Sequence, residues 1–373
     1  MDASKWKLLP QNEVDARSED IEEDDEETDF QCAMVETQTT IPQEQPIKPK
    51  KVRKWTVHPG RNRFCCQGKL VCSKKHGAFL LTVFIMSTTM TLFFVFDAPF
   101  LWSKNPSIPI IAALLSIFVI ANFIVTSFTD PGILPRAGNF EIIEMDKQLA
   151  ATQPEQVANR PRTKEIEING EKMRVKYCTS CRMFRPPRAS HCAVCDNCVL
   201  MFDHHCPWVG NCIGLRNYAY FYRFVVSLSI LIVYLFTSSI VHICLSANGR
   251  PFMEVVRDYP MSVVVAVVCF FSIWSLIGLT FFHSYLLFTN QTTNEDLKGT
   301  FRKKNRNAEN LVKNPFSRGY LKNMCHRMFK STFPSVLDAD GFVNDNITVI
   351  VPKTFEKQTG QDSNIQQLDP TFA

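Results

Sequence analysis

The chain has 373 residues, a formal net charge of +5 and 46% hydrophobic residues, an ordinary overall composition that is unevenly spread. Four stretches, Gly77 to Phe96, Ile108 to Phe128, Phe224 to Leu245 and Ser262 to Phe288, are long and nearly free of charge. Each reaches the roughly 20 apolar residues that span a hydrocarbon core as a helix, which excludes a soluble globular domain.

Residues 1–47 read as an acidic tail. The run from Glu19 to Asp29 holds nine acids in eleven residues, and such a tract cannot bury a core, so disorder is expected. The N-terminal stretch is polar and charged for about seventy residues, so no cleavable signal peptide is expected. Residues 48–76 form a basic juxtamembrane segment containing Cys65-Cys66, cysteines that S-acylation or plain thiols would equally explain. Residues 77–128 make a hairpin of the first two spans, with Asp97-Ala98-Pro99 and Pro106 in the expected connecting loop. Residues 129–174 form a linker that opens on Asp130-Pro131-Gly132. Pro fixes φ and Gly permits positive φ, so this reads as a turn on leaving the membrane; the polar stretch Glu141 to Arg174 predicts only local structure.

The cysteine-rich segment occupies residues 175–217, and spans three and four occupy 218–288. Asn122, His242 and His283 are intramembrane polar residues, for which hydrogen bonding between helices or placement near an interface is expected, and no direct role. Residues 289–335 begin with Gln291-Thr292-Thr293-Asn294-Glu295. Phe316, Tyr320, Met324 and Met328 then recur every four residues among Arg318, Lys322, Arg327 and Lys330. That basic amphipathic pattern suits either an anionic leaflet or the protein's own extramembrane domain. A C-terminal tail is expected over residues 336–373; before it, Cys325 is, like Cys65 and Cys66, a thiol that S-acylation could modify.

Lys and Arg crowd the approach to the first span (Lys48, Lys50, Lys51, Arg53, Lys54), the long middle loop, and the segment Lys298 to Arg306. The two short loops hold only Lys104, Arg250 and Arg257. The positive-inside rule therefore puts both termini and the cysteine-rich loop in the cytosol. In that reducing compartment the cysteines should bind metal and not pair as disulfides. The sequons at Asn290 and Asn346 should then be silent.

Between Cys178 and Cys212 lie seven cysteines and three histidines in thirty-five residues, spaced C-x2-C-x9-H-C-x2-C-x2-C-x4-D-H-H-C-x5-C. Tetrahedral structural zinc takes four Cys or His ligands. Ten candidates fill two sites and leave two over. Counting does not say which are spare, but an unbound thiol beside an imidazole makes a nucleophile and its base. A zinc-bound thiolate is the poorer nucleophile. Asp203 could hold the adjacent His204 in one tautomer, and Pro207-Trp208 would place Cys206 at a partly apolar site. Such a ligand-dense segment depends on metal to fold. A membrane-anchored zinc-finger adaptor needs no reactive thiol, and a zinc hydrolase needs an open metal position; both remain alternatives on the residues alone.

These residues resemble the DHHC-type protein S-acyltransferases over about residues 50–335. The resemblance rests on Asp203-His204-His205-Cys206, on Asp130-Pro131-Gly132 and on Thr292-Thr293-Asn294-Glu295. Arg185-Pro186-Pro187-Arg188 and Asn314-Pro315-Phe316-Ser317 are similar to the Golgi-associated subgroup related to the yeast Ras palmitoyltransferase. The resemblance implies an all-α polytopic membrane protein of four spans, with a cytosolic two-zinc domain between the second and third. It implies one structural zinc on Cys178, Cys181, His191 and Cys198, and another on Cys192, Cys195, His205 and Cys212. It assigns Cys206 as nucleophile toward long-chain acyl-CoA, His204 as general base and Asp203 as its orienter, with acyl transfer to cysteines of substrate proteins. The implied partners are those proteins, the bilayer and possible accessory subunits, with no nucleic acid; the implied location is Golgi or endoplasmic reticulum. Arg182, Arg185, Arg188 and Arg216 are candidates for the CoA phosphates, with ordinary surface charge the competing reading.

Overall fold

The computed structural model describes residues 52–152, 163–301, 314–329 and 334–342. The acidic tail, Lys48, Lys50, Lys51, the basic run after Phe301, Lys330 and the Asn346 sequon lie outside them. Among the described residues, four helices are long and apolar enough to cross a membrane: Gly77–Lys104, Ser107–Phe128, Tyr218–Ala247 and Pro260–Thr289. Helix is the answer that lipid imposes, because it satisfies every backbone polar group within its own segment. The third span is the hub, with 56% of its most apolar stretch buried, against 11% in the first. Val119 and Phe123 of the second span and Val265 and Cys269 of the fourth share one core with its Phe221, Phe224, Val225 and Leu231.

The first span overruns its expected end. A π-helical turn, Phe93–Asp97, carries it into Ala98–Lys104, so only Asn105 and Pro106 separate it from the second span. Pro99 does not stop the helix because it closely follows the π-helical turn, where the regular i→i−4 ladder is already interrupted. Asp97 is therefore not a loop residue. It is fully buried, and its carboxylate accepts a hydrogen bond from His242 Nδ1 at 2.8 Å. His242 thus makes the expected interhelical bond, whereas Asn122 donates to Phe118 O one turn back in its own helix.

The segment between spans two and three is built mainly from short antiparallel hairpins. Strands β1 (Asn62–Cys65) and β2 (Leu70–Ser73) precede the first span. In the linker, a helix, Asn139–Thr152, is followed by β3 (Thr163–Ile168), β4 (Glu171–Cys178) and β5 (Met183–Phe184), which form one sheet. Two hairpins then follow: β6 (Ser190–Cys192) with β7 (Asn197–Val199), and β8 (His204–Cys206) with β9 (Asn211–Ile213).

Asp130-Pro131-Gly132 does more than turn the chain. The Asp130 carboxylate accepts the N–H groups of Gly132 and Ile133 at 2.9 Å each, and Gly132 takes a φ of 105°. The chain beyond it is threaded between the hairpins: Leu134 N–H donates to Cys198 O, and Leu200 N–H to Gly132 O. Asn211, fully buried, donates to Val71 O, Ser127 O and Thr129 O at 3.0 Å each. The end of the second span is therefore tied to the hairpins by hydrogen bonds.

Candidate active site and metal centres

Strand alternation divides the Asp203-His204-His205-Cys206 run. Successive side chains on a strand point to opposite faces, so on β8 the side chains of His204 and Cys206 share one face and that of His205 takes the other. His205 turns into a cluster with Cys192, Cys195 and Cys212; His191 joins Cys178, Cys181 and Cys198 in a second. In both hairpins the histidine lies directly across from a cysteine, His191 from Cys198 and His205 from Cys212.

Each cluster can hold a metal ion. Its four donor atoms lie within 4.8 Å of one another. His191 Nδ1 is 3.5 Å from Cys178 Sγ, 3.6 Å from Cys181 Sγ and 3.9 Å from Cys198 Sγ. His205 Nδ1 is 3.5 Å from both Cys195 and Cys212, whose sulfurs are 3.6 Å apart. A tetrahedron with metal–sulfur bonds of about 2.3 Å has edges of about 3.7 Å, so the donors fit zinc without rearrangement. All six thiols are buried, and the outer nitrogen of His191 faces Asp196 at 3.4 Å, the usual support for a ligating imidazole.

Asp203 is fully buried beside the other face of β8. Its carboxylate accepts His204 Nδ1–H at 2.7 Å, Thr293 N–H at 2.9 Å and the Thr293 hydroxyl at 2.6 Å. Burial alone would raise this carboxyl, yet the hydrogen bond and charge of His204 overcome it and hold it down at about 2. Burial likewise pulls the His204 imidazole down. The hydrogen bonds that His204 makes to Asp203 and with Cys206 outweigh it and push His204 up to about 10. The buried carboxylate and the Cys206 sulfur thus favour the charged imidazolium, so a proton taken from the Cys206 thiol is held on His204.

Thr293 is held by its neighbours. Thr292 and Glu295 form a capping box at the start of the short helix Thr293–Leu297. Glu295 in turn receives Arg188 Nε and Nη2 at 2.8 Å each, in a buried bidentate pair. Arg188 also bonds Asn290 and lies over the Phe316 ring. It is a structural cation and not a surface group open to phosphate. Arg216 likewise binds the Asp130 carboxylate at 2.9 Å; of the four arginines, Arg182 is exposed.

Cys206 and His204 line one end of a cavity of about 620 Å³ that runs between the first, third and fourth spans. Its walls are apolar, including Met86, Met90, Phe224, Leu228 and Leu276, and its size falls within the range of ligand sites. His283, expected to bridge helices or to lie near an interface, sits beside Asp203 and His204. An imidazole in an apolar span was the available signal; its proximity to the Asp203–His204 pair depends on how the fourth span packs. The basic amphipathic segment forms the helix Tyr320–Phe329. It packs against the protein through buried Asn323 and Met328, and leaves Tyr320, Leu321 and Phe329 exposed.

A profile of the DHHC palmitoyltransferase family matches residues 171–300. Among curated relatives, human palmitoyltransferase ZDHHC18 is 49% identical over 302 residues, covering 80% of this chain and 77% of the relative. Zebrafish (Danio rerio) palmitoyltransferase ZDHHC9 is 46% identical over 302 residues, with coverages of 80% and 77%. Human palmitoyltransferase ZDHHC14 is 46% identical over 323 residues; the match covers 84% of this chain but 66% of that protein, just under two thirds of its length. With four membrane helices, two Cys3His clusters and a thiol opening on an apolar cavity, the chain belongs to the DHHC palmitoyltransferase family of protein S-acyltransferases.

Proposed function

We propose that this chain transfers a long-chain acyl group from acyl-CoA to cysteines of substrate proteins through an acyl-enzyme at Cys206. The observation that carries this reading is the placement of Cys206 and His204 at one end of the apolar cavity, with Asp203 behind the imidazole. The acyl chain lies in the cavity, and its thioester carbonyl meets the Cys206 sulfur. The thiol proton passes to His204, and the imidazolium is stabilised by the buried Asp203 carboxylate. The bond from the carbonyl carbon to the CoA sulfur breaks, and CoA leaves as a thiol with that proton. A substrate cysteine then attacks the acyl-Cys206 thioester, His204 takes its proton, and as the bond from the carbonyl carbon to the Cys206 sulfur breaks that proton returns to the Cys206 sulfur.

Cys178, Cys181, His191 and Cys198 would hold one zinc, and Cys192, Cys195, His205 and Cys212 the other. When bound, each zinc cross-links the short strands that carry the site. Four protein donors close each cluster, which leaves no position for the bound water that a zinc hydrolase needs. The cysteine-rich domain and both termini face the cytosol, where acyl-CoA is water-soluble at its nucleotide end. Arg182 is an available contact for its phosphates. Because Cys206 lies at the ends of the spans, membrane-proximal cysteines of substrate proteins are the fitting acceptors. An accessory subunit and a Golgi or endoplasmic reticulum location complete the proposal.

Purified protein incubated with labelled palmitoyl-CoA should gain a hydroxylamine-sensitive label that disappears in Cys206→Ala and Cys206→Ser. A label that persists in those variants sinks the assignment.

A further inference from the structure

His283 is a buried imidazole inside an apolar helix, and no step above uses it. The donor atoms of Asp203, His204 and His283 lie within 4.8 Å of one another. A carboxylate and two imidazoles at that spacing suit a metal, but the Asp203 oxygens already accept three hydrogen bonds, two of them from Thr293. Asp203 is thus taken up by hydrogen bonds from His204 and Thr293, and His283 joins the pair by packing. The His283 and His204 rings are 5.9 Å apart and tilted by 41°. Phe221 meets both edge to face, at 5.3 Å from His204 and 4.9 Å from His283.

His283 is itself held in place. Its Nδ1 lies 3.3 Å from the Tyr218 hydroxyl. The Arg327 guanidinium sits 3.8 Å above the Tyr218 ring and donates to Gln291 O at 2.7 Å. A line of contacts thus runs from the C-terminal helix, through the third span, to an imidazole on the fourth span that abuts the catalytic pair. A bond serving only to join helices would end at Tyr218 and His283. Here the second ring is also pressed toward His204, and ionisable groups in a span commonly mark functional positions.

We propose that His283 is a positioning residue for acyl transfer: with Phe221 it walls in the His204 ring, keeping Nδ1 on Asp203 and the ring toward the cavity that Cys206 lines. This inference rests on the assignment of Cys206 and His204 above. Loss of positioning at a reacting pair costs up to about a hundredfold. With full-length protein and labelled palmitoyl-CoA, His283→Ala should therefore lower the single-turnover labelling rate of Cys206 by about ten- to a hundredfold. The palmitoyl-CoA concentration at half-maximal rate should stay within about twofold, and zinc content should stay as in the unmodified protein. Tyr218→Phe, which removes only the hydroxyl that holds His283, should lower the rate less. It should add little in the His283→Ala background, since the two act through one contact.

A labelling rate in His283→Ala within about twofold of the unmodified protein overturns the proposal. So does a loss confined to the palmitoyl-CoA concentration dependence, or zinc loss in both variants, since either makes the role one of packing. Labelling that survives Cys206→Ser instead overturns the acyl-enzyme assignment itself, and so is a separate result.

Discussion

At the scale of single residues, Asp203 joins the imidazole of His204 to the segment that follows the fourth span. It orients His204, and Thr293 orients it through two hydrogen bonds reaching across from the end of the fourth span. Hydrogen bonds to a charged group are worth roughly 1.5–3 kcal/mol each. Thr293→Ala removes the hydroxyl bond and leaves the backbone one. Cys206 labelling by palmitoyl-CoA is then expected to slow by about ten- to a hundredfold, the rate equivalent of one such bond. Thr293→Ser keeps the hydroxyl and should slow far less. Both rates are read in the single-turnover assay, and equal losses in the two variants would remove the hydroxyl from the mechanism. Thr293 was legible as part of a sequence motif, but its role was not, because residues 203 and 293 meet only when the fourth span delivers its end to β8.

Among the elements, the hairpins gather eight Cys and His residues into two clusters beside Cys206 and His204. Strands of three residues have almost no core of their own, and metal binding worth about 10–16 kcal/mol supplies the folding energy in such domains. Cys178→Ala or Cys195→Ala should each release zinc and unfold the cysteine-rich domain, measured as metal content and as loss of protease resistance. Cys206→Ser should keep both zincs, because its side chain shares the face of β8 opposite His205. Zinc loss in Cys206→Ser would refute this division of ligands. Asn211 then pins the β8–β9 hairpin to the end of the second span. The Asp130 turn was visible in the sequence as a change of chain direction. Its part as a seam between hairpins was not, since that depends on carbonyls of Cys198 and Gly132 that carry no side-chain signature.

Across the whole molecule, the cavity between three spans joins the chemistry to the membrane. Both loops on the far side are short and nearly free of basic residues, so the proposed orientation has a direct check. In sealed vesicles with the cytosolic face outward, tags at both termini should be cut by added protease, whereas a tag inserted at Gly249 should be protected until detergent is added. Protection of either terminus would reverse the topology. The buried Asp97–His242 pair clamps the first span to the third near those loops. Asp97 ends the π-helical turn and is buried there, whereas local composition around Pro99 pointed to a loop.

Four apolar runs, the distribution of Lys and Arg, and the spacing of ten Cys and His residues determined the membrane class, the expected orientation and the ligand inventory. These are properties of hydrophobic length, charge and residue type, and all are local in the chain. The tertiary structure decided what sequence separation conceals: Thr293 behind Asp203, His283 beside His204, Arg188 buried on Glu295 instead of open to phosphate, and the cavity at Cys206. Each depends on helices and hairpins distant in the chain packing side by side, and no periodicity or motif within one segment encodes which partner it will meet.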